Sequence, residues 1–317
     1  MLRLSIIVPF YNVEMYIEEC IRSLYDQDIP QEEYEVICVD DCSPDGSRVI
    51  VERLQKDFPT LRLICHERNK KLGGARNTGL REAKGKYVWF VDSDDYVSAN
   101  CLGKLLRGAE AQDVEMLLFD YATVSNGKSQ QVVYPKIADR LLTGDELLRQ
   151  LQERWYVCVP TAWNKLYKRE FLMQNGLLFT EDVMYEDTDL SLKMLTYLKR
   201  IKYVNEFVYN YRQNAQSITK ERPTSEKMVY TILQQNRCAV VAERAKEGVV
   251  KDVIREYVKT QLIVLRRGLI LLDAYQKHAY FRLIRKYNIS TLRSYSTWRT
   301  WLAIRYGITW FIHEKRN

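Results

Sequence analysis

Three aspartates stand within four residues at Asp92-Ser93-Asp94-Asp95, directly after the apolar run Tyr87–Val91. Carboxylates this close at the end of a buried strand repel one another and need a counter-charge. A hard divalent cation supplies one. Oxygen ligands suit magnesium or manganese, and magnesium takes one or two carboxylates plus substrate phosphates. A plainer use is helix capping, with Asp94 or Asp95 in front of a helix that begins near Asn100. Polar clusters also follow the other early apolar runs: Pro9-Phe10-Tyr11-Asn12 after Leu4–Val8, Asp40-Asp41-Cys42-Ser43 after Tyr34–Val39, and Arg68–Arg76 after Leu61–Cys65. Asp40 and Asp41 open a stretch rich in turn formers, so a turn is the alternative to a ligand contact. Gly73-Gly74 before a helix lets backbone N–H groups face an anion, with Lys70, Lys71 and Arg76 adding charge. Glu181-Asp182 and Glu186-Asp187 form a second acidic cluster. It reads either as a general base or as first-turn carboxylates favoured by the helix dipole.

These clusters share one location if the runs are strands of one sheet. The β-branched runs Leu4–Val8, Tyr34–Val39, Leu61–Cys65, Tyr87–Val91 and Met116–Phe119 suit strands buried on both faces. Between the first four lie helical spacings: Ile17, Cys20, Ile21 and Leu24; then Val49, Ile50, Arg53 and Leu54; then a helix from near Gly74 to Ala83. That alternation predicts an α/β fold with a mostly parallel, Rossmann-like sheet and crossover helices. Ligands bind beyond the carboxyl ends of such strands, so four clusters at four ends make one site. Further on, Asn126-Gly127 predicts a hairpin. Helices are expected over Gly144–Glu153 and Thr188–Leu198, and an alternating apolar run over Ile201–Tyr211. From Ser225 the chain reads as helices joined around Gly248 and Tyr275. A domain boundary is expected near residue 222, where Pro223-Thr224-Ser225 offers a helix start.

Composition narrows the function classes. With 46% hydrophobic and 28% charged residues among 317, the chain is neither disordered nor an integral membrane protein. Its net charge of +7 is concentrated at one end. Residues 274–317 hold nine lysines or arginines against one acid, Glu314, so the nearly neutral main body is not read as a nucleic-acid binder. The same segment is rich in aromatics, including Trp298, Trp301 and Trp310, which suits an anionic membrane surface. A helical cap packed on the rest of the protein is the alternative. Seven cysteines without a C-x-x-C pair read as reduced thiols in a cytoplasmic chain. The start Met1-Leu2-Arg3 runs directly into a strand, so no signal peptide is expected. Leu262–Leu272 and Trp301–Ile312 are broken by Arg266, Arg267, Arg305 and Gly307, well short of the roughly 18 apolar residues of a spanning helix. With only His66, His278 and His313, neither a zinc site nor a histidine triad is expected.

The chain resembles the family 2 glycosyltransferases, which adopt the GT-A fold. The motifs are SIIVPFYNVEMYIEECIRSL, VICVDDCSPDGS and NKKLGGARNTGLREAKGKYVWFVDSDDY, followed by WNKLYKREFL, YEDTDLSLKML and YNYRQNAQSIT, over about residues 4–219. The resemblance implies transfer of a sugar from a nucleotide diphosphate donor, usually uridine-linked, to an acceptor hydroxyl with inversion, assisted by Mn2+ or Mg2+. By matching position it places Pro9, Tyr11, Asp40 and Asp41 around base and ribose, and Arg76 near the nucleotide or donor sugar. Asp92 and Asp94 form its ribose- and metal-binding Asp-x-Asp motif, with Asp95 a further metal ligand. Asp187 corresponds to its catalytic base. Arg212 and Ser217 sit where a loop closes over the diphosphate, and Asn164 and Lys165 line the acceptor or donor pocket. Residues 1–222 are then a catalytic domain, with a nucleotide-binding half (1–120) and an acceptor-side half (121–222), and residues 223–317 are a helical extension. The implied acceptor is a saccharide or lipid-linked saccharide of a bacterial-type surface polymer, met at the cytoplasmic face of the membrane. The competing readings are a non-catalytic sugar-nucleotide-binding scaffold subunit and a nucleotidyltransferase. The scaffold would need no base at Asp187. The nucleotidyltransferase would carry a glycine-rich loop after the first strand, where Pro9–Val13 has none.

Overall fold

The computed structural model describes residues 2–125, 127–132, 134, 137–151, 159–213 and 224–306. Met1, Asn126, Glu153, Ser217, Pro223, Gly307, Trp310, Ile312, His313 and Glu314, named above, lie outside them. The chain divides into two units, Met1–Ala215 and Gln216–Asn317.

In the first unit, β1 (Leu4–Phe10), β2 (Tyr34–Asp40) and β4 (Tyr87–Phe90) are buried at every position, as their unbroken apolar runs require. With β3 (Leu61–Cys65) they lie side by side in the order β3-β2-β1-β4, all parallel. Leu4 pairs Tyr34 on one side and Tyr87 on the other, so the parallel strands start together and the clusters after them leave at one edge. Helix α1 (Ile17–Tyr25) buries Ile17, Cys20, Ile21 and Leu24, the face its spacing predicts. After α2 (Ser47–Leu54), helix α3 (Lys71–Glu82) starts three residues before the predicted Gly74. Gly73 and Gly74 therefore lie inside its first turn and not before it. Contact explains Gly73: a Cβ there would stand 2.4 Å from the Thr180 carbonyl oxygen.

Helix α4 (Leu102–Glu110) settles the capping alternative for the aspartate cluster. Its first amides are taken by Gln27 and Asp28. Gln27 Oε1 accepts from Cys101 N at 3.0 Å, and Asp28 Oδ1 accepts from Gly103 N at 2.7 Å. Neither Asp94 nor Asp95 caps it.

Beyond β4 the sheet becomes mixed, which qualifies the mostly parallel expectation. β8 (Lys165–Lys168) runs antiparallel to both β4 and β6 (Met116–Ser125). β9 (Ile201–Arg212) pairs β6 in parallel and carries the two-residue β5 (Tyr96–Val97) antiparallel on its far side. β6 and β7 (Lys128–Val132) form the predicted hairpin, with Ser125 opposite Lys128. Helix α5 (Gly144–Leu151) and the helix Glu186–Leu195 fall close to their predicted places.

The second unit is helical: Ser225–Arg244, Val249–Leu271, Ala274–Ile284 and Trp298–Tyr306. Thr224 caps the first by accepting from Lys227 N, and Asp273 with Gln276 forms a capping box on the third. Its interior includes Ile232, Cys238, Ile254, Val258, Leu262 and Tyr280, whose hydroxyl donates to the Ile304 carbonyl. Among the described residues no helix is long and apolar enough to cross a membrane. The six described cysteines are free thiols, four of them buried.

Candidate active site

The turn after β4 is held from inside the fold. Tyr209, on β9, accepts a hydrogen bond from the Asp92 amide at 3.1 Å and donates its hydroxyl to Asp95 Oδ2 at 2.7 Å. Asp95 Oδ1 accepts from the Arg212 amide at 2.7 Å. Burial, and then the neighbouring Asp94 and Asp92, raise the Asp95 pKa well above the usual carboxylate range, against the bonds from Tyr209 and Arg212. Both oxygens of Asp95 are thus committed within the protein. These bonds anchor the end of β9 and give Asp95 a structural role beside the expected metal contact. Asp92 and Asp94 stay half-buried at the surface of the turn. Arg212 is fixed there as well. Its Nε donates to the Asp94 carbonyl at 3.0 Å, Nη2 pairs with Glu19 at 2.7 Å, and the guanidinium lies 5.2 Å from the ring centroids of both Tyr16 and Tyr96.

Arg76, on α3, is 2% exposed and joins two acidic clusters. Nη2 donates to Asp92 Oδ1 at 2.7 Å, Nη1 donates to Glu186 Oε1 at 2.6 Å, and the guanidinium lies 5.2 Å from the Phe179 ring. Its buried Nε has no partner among the described residues. Glu186 is buried in the first turn of its helix, after Tyr185 in the left-handed region. Burial pushes its pKa up to about 7; Arg76 opposes the rise and Asp187 adds to it. Asp187, half-buried, is also raised by burial, with Arg76 opposing and the Asp92 charge adding. Asp187 therefore feels both the arginine and the aspartate of the β4 turn, although 95 residues of sequence separate it from Asp92. Sequence reasoning missed Glu186 as the partner of Arg76. Its one signal was adjacency to Asp187.

At the other end of the edge, Tyr11 is 49% exposed just past β1, while Pro9 is buried within the strand. Asp40 behaves as a turn residue, with Oδ1 accepting from Ser43 N at 2.8 Å. Asp41 is buried; its Oδ1 accepts from Lys70 N at 2.8 Å and lies 2.7 Å from His66 Nδ1. His66 was passed over in the sequence because a lone histidine has no spacing signature. Glu181 and Asp182 turn elsewhere, toward Asn77 and Arg81 and toward Arg68. Asn164 and Lys165 are fully buried and bonded to Tyr134 and the Thr161 carbonyl, so they hold β8 in place and do not line an open pocket.

Residues 5–176 match Glycosyl transferase family 2. The chain is 38% identical over 223 residues to the uncharacterized glycosyltransferase EpsJ of Bacillus subtilis, a span covering 68% of this chain and 62% of that protein. It is 32% identical over 214 residues to the poly(ribitol-phosphate) beta-N-acetylglucosaminyltransferase TarS of Staphylococcus aureus, covering 67% of this chain and 35% of TarS. The chain thus spans less than two thirds of either relative. The crystal structure of TarS 1-349 in complex with UDP-GlcNAc superposes with a TM-score of 0.72 at 25% identity, over 93% of this chain and 80% of that one. A mannosyltransferase from Pyrobaculum calidifontis, in complex with GDP-Man and Mn2+, shares the fold at a TM-score of 0.55 and 19% identity, over 95% and 83% of the two chains. The architecture is the GT-A fold with a helical C-terminal region. Its strand-end aspartates, its buried arginine and the 172 matched residues assign the sequence together: the chain belongs to glycosyl transferase family 2.

Proposed function

We propose that this chain is an inverting glycosyltransferase that moves a sugar from a UDP-linked donor to an acceptor hydroxyl of a surface polysaccharide or lipid-linked saccharide. The observation that supports this most is the Arg76 bridge, which ties the Asp92 turn to the Glu186-Asp187 turn. Donor-side carboxylates and a candidate base thereby share one small volume. Tyr11 and Asp41 contact the nucleoside, with Pro9 and Asp40 shaping the strand ends beneath it, and Arg212 faces the diphosphate. Asp187 takes the proton of the acceptor hydroxyl as that oxygen attacks the anomeric carbon opposite the leaving diphosphate. One displacement inverts the configuration.

The donor set fits a hard divalent cation completed by phosphate oxygens and water. Asp92 has one oxygen paired with Arg76, Asp94 lies beside it, and among the described residues no three His, Cys, Asp or Glu side chains converge into a full cage. Asp94 and Asp92 would hold Mn2+ or Mg2+, which when bound neutralises charge on the leaving diphosphate. The UDP donor is suggested by TarS, whose structure holds UDP-GlcNAc. The basic, aromatic segment 274–317 would rest on the anionic cytoplasmic face of the membrane. The decisive experiment is UDP release from a panel of UDP-sugars with Mn2+ and with chelator, in wild type and Asp94→Asn. Metal-dependent release that Asp94→Asn abolishes is expected; no release from any donor would overturn the activity, and release indifferent to chelator would overturn the metal.

A further inference from the structure

Asp41 is held by the protein through one oxygen. Oδ1 takes both the Lys70 amide and His66 Nδ1, while Oδ2 accepts no hydrogen bond from any described residue. An ionised carboxylate only accepts, so His66 carries a proton on Nδ1. Nε2 lies 2.8 Å from Thr78 Oγ1, and in the neutral ring it accepts the threonine hydroxyl proton. The imidazole and the Asp41 side chain are each 4% exposed. His66 follows β3 directly, Asp41 follows β2, and Thr78 lies on α3, so this one ring links three elements.

We infer that His66 is a positioning residue for nucleoside recognition: the Asp41 carboxylate sets its tautomer, Thr78 holds the ring through Nε2, its Nδ1–H pins Asp41 Oδ1, and Oδ2 is left to accept an N–H or O–H of the nucleoside. The inference rests on the proposal that Asp41 contacts the nucleoside. It goes further in naming the group that makes Asp41 competent to do so. A ring kept only for packing would be replaceable by any side chain of similar size. A ring kept for its Nδ1 proton would be replaceable only by a side chain that presents a donor at the same place. Asparagine puts its amide N–H near the Nδ1 position; glutamine reaches toward the Nε2 position.

The test is calorimetric titration of the whole chain with UDP and Mn2+, well below each variant's melting temperature. Asp41→Ala should weaken UDP by about 10- to 100-fold, the worth of a hydrogen bond to a charged group. His66→Gln should weaken it by roughly tenfold and His66→Asn by no more than about twofold, since only the latter keeps the donor to Oδ1. If Asp41→Ala binds UDP as wild type does, the nucleoside reading of Asp41 fails and the role of His66 falls with it. If Asp41→Ala is impaired but His66→Gln is not, or if glutamine and asparagine are equally impaired, the reading of Asp41 stands and the role of His66 is overturned. Should the His66 variants not fold, Thr78→Val at a half-buried position carries the same question. It removes the hydroxyl that holds the ring through Nε2 and should weaken UDP by about threefold, and unchanged affinity overturns the inference.

Discussion

A guanidinium removed from water must keep its counter-ions, and Arg76 keeps two, Asp92 and Glu186, 2.7 and 2.6 Å away. This arrangement separates the roles of two adjacent acids. Asp187→Asn leaves that pairing intact but cannot accept a proton. It should bind UDP nearly as wild type does while sugar transfer falls by roughly 10²–10⁴-fold. Near-normal transfer by a stable, donor-binding Asp187→Asn protein would sink its assignment as base. Glu186 makes a different prediction, in stability against pH. Its folded pKa of about 7 lies above the ordinary 4.5, so between those values the native state holds a proton that the unfolded chain releases. The stability it contributes is fully present below about pH 4.5 and is lost as pH rises toward 7, a change of about 3 kcal/mol. Glu186→Gln should remove that slope, so the wild-type-minus-variant difference from urea melts at pH 4.5 and 7.5 should fall with pH. A flat difference contradicts the shift.

Elements place these residues by close approach, and α3 is the clearest case. Gly73→Ala drives a methyl against the Thr180 carbonyl, next to Glu186 Cγ at 3.1 Å. It should destabilise the protein by about 1–3 kcal/mol and lower transfer in the folded fraction, because the helix that carries Arg76 must shift from Glu186. Urea melts and turnover measured together check both halves. The same helix shows where sequence reading stops. The four parallel strands were legible because strands buried on both faces are written as unbroken apolar runs. The start of α3 was misplaced because Gly-Gly reads locally as a helix breaker, while its reason is a contact with residue 180. β5 is two residues long and leaves no periodicity to read. The Asp92-Ser93-Asp94-Asp95 cluster was visible as a site, but only structure shows Asp95 turned inward to Tyr209 and Arg212. The Arg76–Glu186 pair spans 110 residues, and no local pattern carries it.

At the scale of the whole molecule, charge and architecture separate: the excess positive charge belongs to residues 274–317, and the candidate active site to the first unit. If the basic segment meets anionic lipid, reversing the exposed Arg282, Arg285 and Lys286 to glutamate should abolish salt-sensitive binding to phosphatidylglycerol vesicles without changing UDP affinity. Unaltered vesicle binding would assign the attachment elsewhere. Arg76 has one more consequence, for modularity. Its two counter-ions come from opposite sides of the β6–β7 hairpin in the chain, at residues 92 and 186. A fragment ending near residue 120 would keep Arg76 and Asp92 but lose Glu186, leaving one of the two bonds of the guanidinium unmade at a cost of about 1–3 kcal/mol. The segment 1–120 is therefore not a transplantable module. The hairpin tip is the reverse case: Gly127 is exposed, and a Cβ there would meet nothing within 4 Å. Grafted or inherited insertions should be accepted at that tip, so diversification of such a fold is steered to its loops while the two halves around the arginine must change together.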